Sequence, residues 1–581
     1  LTDIRHLNLS PLPWRAFVSA LCLTTLIVVA LWSILHPLYL DNEDVYLRLA
    51  VEGRAYPGEP PTGYLVFTHS GLGWTAVALQ RALPGLSVWD VLITVPLVWG
   101  LAALFALTWH AFRAQRVTRT AAMLALVAVT TPLIGGFQYT ISATLAGGAA
   151  TMIALVELMA AERPRVSMLG MAGALLFVGL LLRAMAAEAG VLSGLLLLVP
   201  LAWSDETRRR RHAVRAIAAC GLVAALVAAL AISDSALYAR SPLWSAFYRH
   251  HWRIVTLAEW EGGANGPELD AIRAAAGWSE NDWNMLRGWW GVDPTIFGFD
   301  RVARAAAARV SRPWDVWLSA RLAGLNRVVI ERLLAELAPL LSLAAVIMAA
   351  VSSRRRMWSI TSVFAIFAGI YLGIQVVFKE PPFRLIAPLE ATLMMAVLVT
   401  IGGARLVERR LVSVVALAVA AGLAARQAGL VVSQSRADQD QAKAIEHQVQ
   451  ELLTLRPSLL VMHADSFPAE QWWRPFGRPP VALLSVPLGW DNQHPDLQHF
   501  LSATHHQPLL RAVCADPSIF VIAESGRLEA VTLSMREHFG ADVVWSPVYE
   551  GSFRAWRCSP ASPSARSSIP DGVAGAKLQR Q

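Results

Sequence analysis

Apolar residues in this chain fall in long unbroken runs rather than in the short alternations of a soluble domain. A helix rising 1.5 Å per residue crosses the hydrocarbon of a bilayer in roughly 17 to 25 residues. By that measure the sequence predicts eleven spans, at 16–36, 89–111, 120–136, 140–160, 167–186, 189–203, 213–232, 333–351, 358–377, 385–402 and 411–432. No small-residue cleavage site follows the first run, which is therefore expected to anchor the chain rather than to be removed.

The polar intervals between the runs are not alike. Arginines gather at Arg113, Arg116 and Arg119, at Arg163 and Arg165, at Arg208 to Arg211, at Arg354 to Arg356, and at Arg405, Arg409 and Arg410. If every run crosses once, all of these clusters share one side with the N-terminus, which the charge rule makes cytoplasmic. Residues 37–88, residues 233–328 and everything after 432 are then left outside. The expected domains are a membrane region over 1–432 with outer loops 37–88 and 233–328, an outer domain over 433–558, and a tail over 559–581 whose composition predicts disorder.

The outer domain has a different rhythm. A polar amphipathic helix is expected over 436–455. Short β-rich runs at Leu459 to His463, Val481 to Val486, Ile519 to Ile522 and Val543 to Val548 then alternate with helical stretches near 494–503 and 527–538. Such alternation predicts a small α/β layer, and no glycine-rich phosphate loop interrupts it. Cys514 and Cys558 both fall here, where an oxidising compartment would let them pair; their spacing alone does not decide it.

Composition agrees with a membrane protein: 55% of the 581 residues are hydrophobic, 16% are charged, and the mean hydropathy is +0.45. The net charge of +8 would suit a nucleic-acid partner, but the arginines that create it sit beside apolar runs and report orientation instead. No nucleic-acid partner is expected; membrane lipids are. The fold class is a polytopic α-helical membrane protein of about eleven transmembrane helices with a small soluble α/β domain at its C-terminus.

Candidate chemistry begins where the first span ends, in the stretch LDNEDVYLRLAVEG from Leu40. Asp41 or Asn42 is suited to cap a short helix over Val45 to Glu52, and Asp44 in its first turn would favour the helix dipole. Asp44, Arg48 and Glu52, four apart, would also share a helix face as a salt-bridge ladder. Capping needs one acid, however, and Asp41, Glu43 and Asp44 are three within four residues beside a membrane surface. A carboxylate kept as a general base, with neighbours to orient it or to hold a metal, would use such a cluster.

Many spans, a first outer loop opening on Asp41, Glu43 and Asp44, and a soluble C-terminal domain together resemble the GT-C superfamily of integral membrane glycosyltransferases. The resemblance covers the topology of nearly the whole chain. It implies a polyprenyl-phosphate-linked sugar donor, a glycan, lipid or protein acceptor in the cell envelope, and a first-loop carboxylate, Asp44 or Asp41, that takes the acceptor proton. It also implies basic residues that hold the lipid phosphate. Some members use a divalent metal and many do not, so Mg or Mn at Asp41 and Asp44 stays open. The implied location is a bacterial inner membrane, with the site and the C-terminal domain on the periplasmic or extracellular face.

Other polar residues near the expected outer surface then become candidates. Lys379, Glu380 and Arg384 surround Pro381 and Pro382 in a short turn; Lys379 and Arg384 would grip a phosphate, or simply snorkel, and Glu380 would contact substrate. Arg183 is a further phosphate candidate, or pairs with Glu188 in its hairpin. Gln138 and Tyr139, beside the Gly135 and Gly136 turn, would line a sugar pocket or a wet turn.

In the second outer loop, Ser279 and Asp282 fit a capping box. Trp283, Trp289 and Trp290 suit sugar stacking or a membrane interface. His250 is a substrate-binding candidate, although adjacent His250 and His251 diverge on a helix and make a zinc site improbable.

Two alternatives from other classes remain. A lipid-linked sugar transporter or flippase would have as many spans, but with charges inside them. A non-enzymatic envelope-assembly protein would need no converging site at all.

Overall fold

The computed structural model describes residues 11–113, 116–160, 164–199, 206–260, 266–309, 354–378, 383–402, 410–463, 465–477, 485–489 and 492–561. The expected span 333–351, the turn residues Lys379 and Glu380, and residues 562–581 of the expected tail lie outside these; Ser559 and Pro560, also expected in the tail, instead end a strand. Among the described residues, eight helices are long and apolar enough to cross a membrane. The chain is a polytopic helical membrane protein carrying a small α/β layer.

The first half is α1 (Trp14–Leu35), β1 (Leu38–Tyr39), α2 (Asn42–Glu52), α3 (Ser70–Ala82), α4 (Val88–Ala111), α5 (Arg116–Gly135), β2 (Gly136–Phe137), α6 (Tyr139–Ala160) and α7 (Val166–Gly194). The apolar part of α6 is almost wholly buried in protein, whereas that of α1 is mostly exposed. With lipid tails as apolar as leucine, helices in a bilayer associate by close packing at small residues. That is what holds α7 on α6: a methyl added at Gly190 would come 2.0 Å from the Thr144 carbonyl oxygen, and one at Gly147 would come 2.1 Å from that of Ala187.

α7 is not straight. Arg183 departs from helical geometry (φ −160°, ψ 97°), and a Cβ at Gly179 would lie 3.6 Å from that of Ala187. Eight residues of continuous helix would separate those positions by about 12 Å. The chain therefore doubles back at Arg183, which forms the tip of the hairpin expected between 167–186 and 189–203, with a single residue as its turn.

After α8 (Glu206–Tyr238), the second long loop folds into α9 (Pro242–Val255), α10 (Gly266–Ala276), α11 (Glu280–Arg287), α12 (Pro294–Phe297) and α13 (Phe299–Ala307). Among the described residues, the next membrane helices are α14 (Arg354–Phe378) and the largely buried α15 (Phe383–Gly402). α16 (Arg410–Thr454) then runs 45 residues without a break. The expected last span and the expected amphipathic helix are one element. Between 432 and 436 stand Val, Ser, Gln, Ser and Arg, with no proline or glycine to stop a helix that is leaving the membrane.

The remainder is β3 (Leu459–His463), α17 (Ala469–Trp472), β4 (Ser485–Leu488), α18 (Pro495–Ala503), α19 (Leu509–Ala515), β5 (Ile519–Ile522), α20 (Ser525–Phe539), β6 (Val543–Glu550) and β7 (Arg554–Pro560). They form a five-stranded sheet in the order β4-β3-β5-β7-β6, with β3, β4 and β5 parallel and β7 antiparallel to both β5 and β6. Cys514 and Cys558 are disulfide-bonded, joining α19 to β7.

Both faces of the sheet are covered, and side chains alternate between two cores as strand periodicity requires. Leu459, Val461, Ile519 and Val521 face the second long loop, packing with Trp283, Trp290 and Phe297. Leu460, Met462, Phe520 and Ile522 face the first loop and the end of α16, packing with Val45, Leu49, Trp472 and Ile445. The sheet thus builds its core with both long loops rather than by itself.

Candidate functional site

The acidic stretch is held by local structure first. Asp41 caps α2, accepting the Glu43 amide at 3.1 Å, and Gly53 ends the helix at φ 68°, in the left-handed region that favours glycine. Just before it, β1 pairs in parallel with β2, Leu38 opposite Gly136 and Tyr39 opposite Phe137. That two-residue ladder sets the start of α2 against the start of α6 and so brings Asp44 and Glu43 to Tyr139.

The three acids have three different surroundings. Asp44 is fully buried; its Oδ1 accepts the Tyr139 amide at 3.2 Å, and its Oδ2 has no hydrogen-bond partner among the described residues. Burial, reinforced by Asp41, holds its carboxyl well above the usual carboxylate range. Glu43 accepts from the Tyr139 hydroxyl at 3.0 Å and from Arg183 Nη1 at 3.3 Å, and lies 3.6 Å from Arg384 Nη1. Burial pushes Glu43 up, but Arg384 and Arg183 outweigh it and its carboxyl falls below the ordinary value. Asp41 takes a direct hydrogen bond from Arg384 Nη1; burial and then Glu43 raise it, against the pull of Arg384.

Arg183 reaches this cluster from the tip of its hairpin. It donates to the Tyr139 hydroxyl and, at 3.0 Å, to the Thr140 hydroxyl, with its guanidinium 5.0 Å from the Tyr139 ring centre. Two arginines, three acids and one tyrosine from four distant segments are therefore contiguous. Of these, Asp41 opens onto a cavity of about 670 Å³ whose other walls include Asn42 on α2 and Asp465, Glu470, Glu524 and Arg554 from the sheet layer. Burial raises the Glu470 carboxyl, with a further contribution from Asp41.

The remaining sequence candidates lie elsewhere or do other work. Gln138 caps α6, its Oε1 accepting the Thr140 and Ile141 amides at 2.6 and 3.2 Å. Trp283 is buried between the second loop and the sheet, where no sugar reaches it; its apolar bulk is core. Ser279 and Asp282 form the expected capping box, and Asp282 also accepts from His538 at 2.7 Å. His250 is buried against Phe299, its ring nitrogens without a partner among the described residues, and burial pushes it down to about 3. Lys379 and Glu380 fall outside the described residues.

Sequence reasoning missed a second polar cluster. Arg48 donates to Glu52 at 2.7 Å, to the Arg474 and Gly477 carbonyls at 2.9 and 2.7 Å, and lies 3.3 Å from Asp90. Asp90 also accepts from the Tyr39 hydroxyl at 2.5 Å and from the Phe476 amide at 2.7 Å. The ladder expected from Asp44 through Arg48 to Glu52 is thus only its second half, and Arg48 bolts α2 to the segment 474–477. The available signal was Asp90 itself, an ionisable residue in the first turn of an otherwise apolar span.

No protein-family model matches the sequence, and no curated protein matches it. Among solved structures, the chain is similar to ArnT from Cupriavidus metallidurans bound to undecaprenyl phosphate and to the same protein in the apo state. Identities are 13% and 12%, with 92% of this chain and 97% of that chain covered and a TM-score of 0.37 in each case. At that score the likeness decides nothing about chemistry.

Proposed function

We propose that this chain is a membrane glycosyltransferase that moves a sugar from a polyprenyl-phosphate donor to an envelope glycan, lipid or protein acceptor at the outer face of a bacterial inner membrane. The observation that carries the reading is the seat of Arg384 between Asp41 and Glu43 beside the cavity. A guanidinium shared by two carboxylates is a ready site for phosphate, because the incoming anion replaces one of them.

In this reading the donor phosphate draws Arg384 from Asp41, and Arg183 stands close behind it. Asp41, released, accepts the proton of the acceptor hydroxyl. The acceptor oxygen bonds to the anomeric carbon as the bond from that carbon to the phosphate oxygen breaks. Polyprenyl phosphate leaves with the electron pair, stabilised by Arg384 and Arg183. Asp41 rather than Asp44 is assigned the base because Asp44 is enclosed and Asp41 lines the cavity. A divalent cation at Asp41 would have to displace Arg384.

Binding of polyprenyl phosphate to the purified protein tests this. Arg384→Gln is expected to weaken binding by about tenfold or more. Unchanged affinity in a folded Arg384→Gln protein, or transport of the lipid-linked sugar without transfer, would remove the enzymatic reading.

A further inference from the structure

A second, basic cleft lies on α9, built from residues the proposed reaction does not use. α8 is lipid-facing, most of its apolar stretch lying unburied in the protein, and it ends at Tyr238. α9 starts at Pro242 and packs back on that end: the rings of Tyr248 and Tyr238 are 4.4 Å apart, and Trp252 lies 6.2 Å beyond Tyr248. Leu243, on the first turn of α9, is 67% exposed. A tyrosine and tryptophan pair at the end of a span, next to an exposed leucine, marks the level of the lipid headgroups.

At that level α9 and α13 enclose a cleft of about 330 Å³ lined by Tyr248, Arg249, Trp252, Arg253 and Arg309. Arg309 is committed, donating to the Thr256 carbonyl at 2.8 Å and lying 3.9 Å from Glu268. Arg249 and Arg253 are one helical turn apart. Among the described residues, Arg249 donates only to Ser245 of its own helix, at 3.1 Å, and neither arginine is matched by a carboxylate. Two uncompensated guanidiniums beside aromatic rings select a phosphate-bearing anion.

We propose that this cleft holds the headgroup phosphodiester of an anionic phospholipid, separate from the site at Asp41. The choice of a lipid over a free phosphate rests on the contact of Tyr248 with the end of the span and on the exposed Leu243, which place acyl chains beside the cleft. A soluble anion would have no use for either.

The full-length protein in phosphatidylcholine nanodiscs provides the test, with phosphatidylglycerol added and bound lipid counted by native mass spectrometry. Phosphatidylglycerol is expected to be retained over phosphatidylcholine. The double variant Arg249→Gln, Arg253→Gln is expected to lose affinity on the order of tenfold, with Tm unchanged in phosphatidylcholine alone. Arg511→Gln, an exposed charge on α19, is expected to retain it.

Four results would overturn the proposal: equal retention by the double variant; equal loss in Arg511→Gln; displacement of the lipid by millimolar inorganic phosphate; or loss of polyprenyl phosphate rather than phosphatidylglycerol in the double variant. Because Arg384→Gln is read on polyprenyl phosphate and this pair on phosphatidylglycerol, either proposal can fail alone.

Discussion

Arg384 donates a hydrogen bond to Asp41 across 343 positions of sequence. The contact joins the start of the first outer loop to the first turn of a late membrane helix. Both side chains are about three-quarters buried, at 22% and 26% exposure, so water screens their attraction only in part.

Removing one partner should therefore leave a poorly solvated charge on the other. Arg384→Ala is expected to lower stability by about 2 kcal/mol, between the small value of a surface pair and the larger one of a buried pair. Adding Asp41→Asn should recover part of that loss, read as a positive coupling in a double-mutant cycle of Tm values. Strict additivity would mean that the two side chains do not depend on each other.

Arg48 and Asp90 are a stronger case, with side chains 4% and 0% exposed. Arg48→Ala is expected to cost about 3–5 kcal/mol by stranding Asp90 and two backbone carbonyls. Because these bonds end on the segment 474–477, the loss should show as faster proteolysis within that segment while the membrane helices remain protected. Uniform loss of protection would contradict a local bolt.

Much of this fold could be read in advance, and for a physical reason. The bilayer forces each crossing to satisfy its own backbone, so runs such as 14–35 and 88–111 announce themselves. The acids at Asp41 and Glu43 were likewise visible as charges where an apolar run ends, whereas the turn at Arg183 falls inside the run expected to span 167–186. What could not be read is what covers what. Trp283 has the same sequence signal whether it stacks on a sugar, sits in an interface or fills a core, and only the docking of the second loop on β3 and β5 decides it. β7 was missed because its sequence, RAWRCSP, carries two arginines and a proline along a half-exposed antiparallel strand. Arg48 and Asp90 pair across a loop whose path no periodicity records.

Acid should open the same layer. Burial holds His250 and His494 down at about 3, and burial assisted by Arg527 holds His463 down at about 4. An unfolded histidine titrates near 6.5. Folded values below the unfolded one mean that this contribution is intact above about pH 6.5 and is lost as pH falls toward the folded values. At full loss it is roughly 5 kcal/mol for His250 and for His494 and roughly 3 kcal/mol for His463. Tm is expected to fall between pH 6.5 and 4, and His494→Asn should flatten that fall. A pH-independent Tm over this range would show that these rings are solvated.

Asp41 as the residue that takes the proton is the claim on which the proposed reaction depends. The direct measurement is sugar transfer from a radiolabelled polyprenyl-phosphate donor under single-turnover conditions, comparing Asp41→Asn with the parent protein at saturating donor. Loss of at least about a hundredfold in rate, with donor affinity retained, is the predicted result. Transfer at the parental rate by Asp41→Asn would contradict it.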